Sequence, residues 1–215
     1  MGSMRFQKYF DQVELWPKTG RYILAHFDAD SIYVYQAFRA AIADFAVEHQ
    51  HFGGDFSYSR MSWIKPNFLW MMYRSGWATQ EGQEHILAVR LRRVFFDELL
   101  CAAVPSTFDE GRFETREQWQ AAVQSSEVRL QWDPDHDPMG NPLQRRALQL
   151  GLRGGTLLRY ATKELVSIED VTPFVTEQRS QLAFSMEELQ THEERVYLPE
   201  KWCAIKRSGI ETPIP

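Results

Sequence analysis

The stretch from Ser59 to Ala78 sets Arg60, Lys65 and Arg74 among Trp63, Trp70 and Trp77, and it contains no Asp or Glu. Cations without a neighbouring carboxylate need an acid from elsewhere in the chain or an anionic ligand. Phosphate is one such ligand, because its oxygens fit the planar arginine fork. Arg60 precedes a β-prone run, Met61 to Ile64, that carries Ser62 and Trp63; Lys65 stands where a helix should start and Arg74 near its end. A helix N-terminus offers free N–H groups and the positive end of the dipole, and the Trp63 indole could stack on a base or a nicotinamide ring. The competing reading makes Phe68, Trp70 and Met71 core, with the cations paired to the chain's own acids or lying along its surface.

Other constellations carry less chemistry. Asp133-Pro-Asp-His-Asp137 gathers three carboxylates and an imidazole, but it lacks the ligand count of a calcium loop, and turn chemistry accounts for its Asp and Pro residues. His26 with Asp28, and His49 with His51, are spaced to share a strand face, not as the helical pair of a zinc enzyme, so solvated loop histidines are expected. No metal site is expected. The chain has no Gly-x-Ser-x-Gly elbow, P-loop or Gly-x-Gly-x-x-Gly, and Cys101 falls in an apolar helix-like run.

These residues must be positioned by their neighbours. Arg21 to Phe27 is a short apolar run and Ile32 to Tyr35 is β-rich. Val34, Phe38, Ala41, Ile42 and Phe45 fall on a helical stripe, which places a strand-to-helix transition near Tyr35-Gln36-Ala37. A helix is expected from about Pro66 to Tyr73, ending at Ser75-Gly76. His85 to Leu91 reads as a strand buried on both faces, Val94 to Ala103 as a helix, and Thr115 with Gln118 as a capping box. Val128 to Trp132 and Leu148 to Leu152 alternate as strands, with Asp133 to Pro142 a rigid polar loop between them. Thr156 to Leu165 reads as a helix, Val166 to Val171 as a strand, and Ser185 with Glu188 as the cap of a mostly solvated helix. Strands interleaved irregularly with helices point to an α+β fold: a polar, loosely packed arm over 1–20, a core over 21–175, and a helical extension with its tail over 176–215.

The 215 residues suffice for one domain with a substantial core, and 44% of them are apolar. A net charge of −5 argues against non-specific coating of nucleic acid, though a local basic cleft is compatible with it. No apolar run approaches the roughly 20 residues that span a bilayer. Cys101 and Cys203 lie far apart and form no metal spacing, so a reduced, cytoplasmic protein is the expectation. Met1-Gly-Ser-Met4 reads as the remnant of an expression tag, with no secretory signal after it.

Several blocks together resemble the family catalogued as domain of unknown function 4291, whose members are mainly bacterial and fungal. They are Val34-Tyr-Gln-Ala37, Arg60-Met-Ser-Trp-Ile-Lys-Pro66, Phe68 to Trp77, Val128-Arg-Leu-Gln-Trp-Asp-Pro-Asp135 and Leu148-Gln-Leu-Gly151, spanning roughly residues 21–175. A more distant similarity, in the order of elements and not in the letters, is to the ADP-ribosyltransferases. That resemblance implies a split, mostly antiparallel sheet core flanked by helices, with NAD held in its cleft. On matching positions Gln36, with Tyr35 beside it, would hold the adenosine side and Ser62 or Trp63 would face the nicotinamide. Gln149 would stand where a carboxylate is usual, and an amide carries no charge to stabilise an oxocarbenium-like transition state. The expectation is a nucleotide- or NAD-handling enzyme of this type, or a phosphotransfer relative. Gln149, Gln36 and Tyr35 would be catalytic, and Arg60, Ser62, Trp63, Lys65 and Arg74 would bind phosphate and ligand. NAD is the expected cofactor, nucleic-acid ends are among the substrates considered, and no membrane is involved. The alternatives are a non-catalytic nucleotide or nucleic-acid module, with Trp63 and Trp77 as stacking platforms, and a protein-interaction domain.

Overall fold

A computed structural model describes residues 4–211; Met1 to Ser3 of the expected tag remnant and residues 212–215 of the expected tail lie outside the described residues. In chain order the first half comprises β1 (Phe6–Lys8), α1 (Tyr9–Val13), β2 (Gly20–Arg21), β3 (Ile23–Ala25), β4 (Ser31–Phe38), α2 (Ala40–His49), β5 (Ser62–Ile64), α3 (Phe68–Ser75), β6 (His85–Arg92) and α4 (Arg93–Ala102). The second half comprises β7 (Val104–Pro105), α5 (Arg116–Ser125), β8 (Val128–His136), β9 (Pro142–Leu152), α6 (Gly154–Thr162), β10 (Leu165–Asp170), α7 (Thr172–Phe184), β11 (Gln190–His192), β12 (Arg195–Tyr197) and α8 (Trp202–Ser208). The chain is an α+β domain.

Two sheets carry it. One is antiparallel in the order β10-β6-β4. The other runs β2-β9-β8-β7, its long β8–β9 hairpin antiparallel and its short β2 and β7 additions parallel, with β5 antiparallel to β9. A single bridge between Tyr35 and Lys65 joins β4 to the end of β5 and so links the two sheets.

Period-two alternation on β4 and β6 feeds two cores at once. Ile32, Val34, Leu87, Val89 and Leu91 meet Ile64, Leu130, Leu148, Leu150 and Leu152 of the second sheet, together with side chains of α2, α4 and α6. Tyr33, Tyr35, Ile86 and Ala88 point the other way, into a second core with Phe68, Leu69, Met71, Met72 and Val175. With both faces buried, β4 has no polar side to reveal its alternation, so it continues to Phe38 and α2 begins only at Ala40, later than the helical stripe indicates.

The chain ends depart most from expectation. Residues 4–20 of the expected arm are not loosely packed: Tyr9, Gln12 and Trp16 are buried, and β1 pairs with β11. The segment after residue 185 forms only a 3₁₀ turn at Met186–Glu188 before β11 and β12, and Ser185 makes no side-chain cap. β12 pairs with β3 and brings Tyr197 into the first core. Cys101 of α4 and Cys203 of α8 are bonded as a disulfide with their Cα atoms 5.1 Å apart, which removes the ground for reading a reducing compartment. Among the described residues no helix is long and apolar enough to cross a membrane.

Tyr35 and His192 illustrate how this interior sets pH dependence. The two are bonded through Tyr35 Oη and His192 Nδ1 at 2.5 Å, and no partner meets His192 Nε2 among the described residues. Burial keeps the phenol protonated and holds the imidazole down at about 3. The unfolded chain binds a proton near the ordinary histidine value of about 6.5, and the folded chain does not. Stability is therefore fully present above that value and is lost as pH falls, at about 1.4 kcal/mol per pH unit. Urea unfolding should show a loss of about 2 kcal/mol between pH 6.5 and 5 from this group, and His192→Gln should flatten that interval. An unchanged slope in the variant would place the acid sensitivity elsewhere.

Candidate functional site

The strands that send leucines into the first core send polar side chains out of the opposite face. Gln131 of β8 is the register partner of Gln149 of β9, and Trp63 of β5 is the partner of Gly151. Lys65 follows β5 directly, and Trp70 and Arg74 lie one turn apart on α3. Trp63, Lys65, Trp70, Arg74, Gln131, Asp133 and Gln149 line one hollow of about 310 Å³. Thus Trp63, Lys65, Arg74 and Gln149 converge from distant parts of the chain. Gly151 makes the arrangement possible, because a Cβ there would lie 2.6 Å from Met61 Sδ and 3.1 Å from Trp63 Cε2.

Its charges are unevenly matched. Asp133 accepts from Gln149 Nε2 through Oδ2 and from Gln131 Nε2 through Oδ1, both at 2.7 Å. The two amides fix the carboxylate without neutralising it. Lys65 is 6% exposed, and its amine has no ion pair or hydrogen bond among the described residues. Burial foremost, then the neighbouring Arg74, pulls the amine down to about 8, with Asp133 acting in the opposite sense. Arg74 is exposed and likewise has no carboxylate within ion-pair distance among the described residues. Trp70 adds a buried Nε1 without a hydrogen-bond partner among those residues.

The remaining expected site residues lie outside the hollow. Arg60 and Ser62 border a separate hollow of about 410 Å³ with Arg39, Asp55 and Phe56. Gln36 is buried between strands: its Nε2 donates to Ser62 Oγ at 2.7 Å and Trp63 O at 3.2 Å, and its Oε1 accepts from Tyr160 Oη at 2.6 Å. Tyr35 is buried in the second core, and its backbone exchanges hydrogen bonds with Lys65. These two residues hold β5 in place and do not line the hollow. Trp77 is also core, donating Nε1 to Pro138 O.

The start of α3 is not open to a phosphate. Asn67 accepts from Trp70 N at 2.6 Å, and the buried carboxylate of Glu194 accepts from Phe68 N at 2.6 Å and Asn67 Nδ2 at 2.9 Å. The protein's own acid occupies the dipole end. Nor is Asp133 to Pro142 a loop throughout, because β8 runs to His136 and β9 starts at Pro142, leaving a turn organised by Asp137. Asp135 is buried against Arg145, and the His136 ring lies 3.5 Å from that of Tyr73, so the acids and imidazole of this segment do not converge.

Asp133, Gln131 and Trp70 were not legible as site residues. Pro134 marks Asp133 as a turn residue in sequence, yet the alternation Gln131-x-Asp133 continues the outward face of Arg129, and that was the available signal.

The family model described as Domain of unknown function (DUF4291) matches residues 22–200, and the chain belongs to that family. The match extends past β12 and so includes Glu194, which caps α3. Among curated proteins none matches the chain.

Proposed function

We propose that this family member is a nucleotide- or NAD-handling enzyme, organised like an ADP-ribosyltransferase, whose ligand lies in the Trp63–Arg74 hollow. One observation carries the reading: two cations without carboxylate partners among the described residues share an aromatic-walled hollow with a carboxylate held by two amides. Arg74 offers a fork to phosphate oxygens, Lys65 adds positive charge when protonated, and Trp63 and Trp70 flank a flat ring. Departure of a base from ribose leaves positive charge at C1. The negative charge that Gln149 lacks is supplied beside it by Asp133, with Gln149 and Gln131 as positioning groups. About 310 Å³ is near the lower bound of ligand pockets, about 300–1,000 Å³, so it suits a mononucleotide portion. Gln131 and Asp133 also border a second hollow of about 700 Å³ beside Ser106–Arg112, with space for the rest of a dinucleotide or an acceptor.

Thermal-shift measurement with NAD, mononucleotides and short oligonucleotides tests this. A nucleotide at 100 times its Kd should add about 2.7 kcal/mol of apparent stability to the wild type. Arg60→Ala should keep the shift and Arg74→Ala should lose most of it; the reverse pattern would move the site to the Arg60 hollow. Binding that Asp133→Asn leaves intact, with no base release by the wild type, would favour a non-catalytic module.

A further inference from the structure

Lys65 is more than a charge. Both of its backbone polar groups are fixed by Tyr35, its side chain is enclosed among Trp63, Trp70 and strand residues, and among the described residues no carboxylate within ion-pair distance secures its proton. The charged groups acting on it are Arg74 from α3 and Asp133 from β8, while Gln131 and Gln149 are neutral. An amine desolvated among aromatics beside a second cation is the arrangement that makes a lysine nucleophilic near neutral pH.

We infer that Lys65 is a covalent nucleophile toward the C1 carbon of a ribosyl phosphate, forming an iminium with its open-chain aldehyde. This rests on the reading that the hollow takes a ribosyl phosphate, whose anionic group Arg74 binds. The Lys65 ammonium gives up a proton to solvent, and the nitrogen lone pair then adds to C1 as the C=O π bond breaks. A second nitrogen proton passes to the resulting oxygen. A proton from solvent reaches that hydroxyl, which leaves as water while the C=N bond forms. Ammonium and aldehyde thus become iminium and water, with no oxidant or reductant consumed. Hydrolysis reverses the step. The substrate class is a phosphorylated reducing ribosyl group, free or exposed by loss of a base.

Reductive trapping tests this directly. The wild type would be incubated with ribose 5-phosphate and cyanoborohydride at pH 8 and at pH 6, followed by intact-mass measurement and peptide mapping. The expected product gains the mass of the sugar phosphate less one oxygen, on Lys65, at pH 8 far more than at pH 6. Lys65→Arg, which keeps the charge but cannot form an iminium, should lose the adduct. Absence of any adduct, or one spread over Lys8, Lys18, Lys163, Lys201 and Lys206 as readily as over Lys65, overturns the inference. Mapping on the wild type needs no variant to fold. Retained nucleotide binding without trapping rejects the nucleophile alone, whereas absence of binding rejects the reading of the hollow.

Discussion

Arg145→Met is expected to cost the fold about 3–5 kcal/mol. The guanidinium is buried, with Nε donating to Asp135 Oδ2 at 2.8 Å, Nη1 donating to Pro17 O at 2.7 Å, and Nη2 in ion-pair contact with the same Asp135 oxygen at 2.6 Å. It also lies 5.3 Å from the centre of the Trp16 ring. Removing it strands the Asp135 carboxylate in the interior, and that uncompensated charge dominates the loss. Methionine preserves much of the packing volume, so the measurement reports charge more than cavity. Guanidinium unfolding would show it as a lowered midpoint. The double variant Arg145→Met with Asp135→Leu should recover most of the stability, because two matched apolar groups need no partner. A loss below about 1 kcal/mol in the single variant would show that water reaches Asp135.

Reduction of the Cys101–Cys203 bond is the second large effect. The bond closes 102 residues of sequence, and for a loop of about that length the chain-entropy argument gives about 4.7 kcal/mol. α8 has only seven residues and would otherwise depend on Ala204, on partly buried Ile205, and on the bond from Trp132 Nε1 to Ser208 O. Denaturant titration with and without a phosphine reductant, checked against Cys101→Ala with Cys203→Ala, should show both forms destabilised alike. Equal midpoints for oxidised and reduced protein would mean that packing alone secures α8.

Local chemistry made much of this fold readable. The end of α3 follows from Gly76 in the left-handed region, while its start lies at an Asn67 cap just past the expected Pro66, and α5 starts at a Thr115 cap that accepts from Gln118 N. The β8–β9 alternation exposed its apolar face. What the sequence concealed depends on partners far along the chain. Nothing near Asn67 announces that Glu194 will arrive from the other end to fill the helix start. Arg60 and Lys65 are close in sequence, yet only Lys65 passes the β5 edge into the hollow. Two cysteines separated by 102 positions show no local sign of bonding.

Glu194 has a further consequence. Its backbone N–H donates to Gln12 Oε1, its carbonyl accepts from Trp16 Nε1, and its carboxylate holds the turn between Lys65 and α3. Early and late parts of the polypeptide therefore close on each other at the place where the lysine is aimed. A nascent chain still lacking this late segment on the ribosome has no finished reactive lysine.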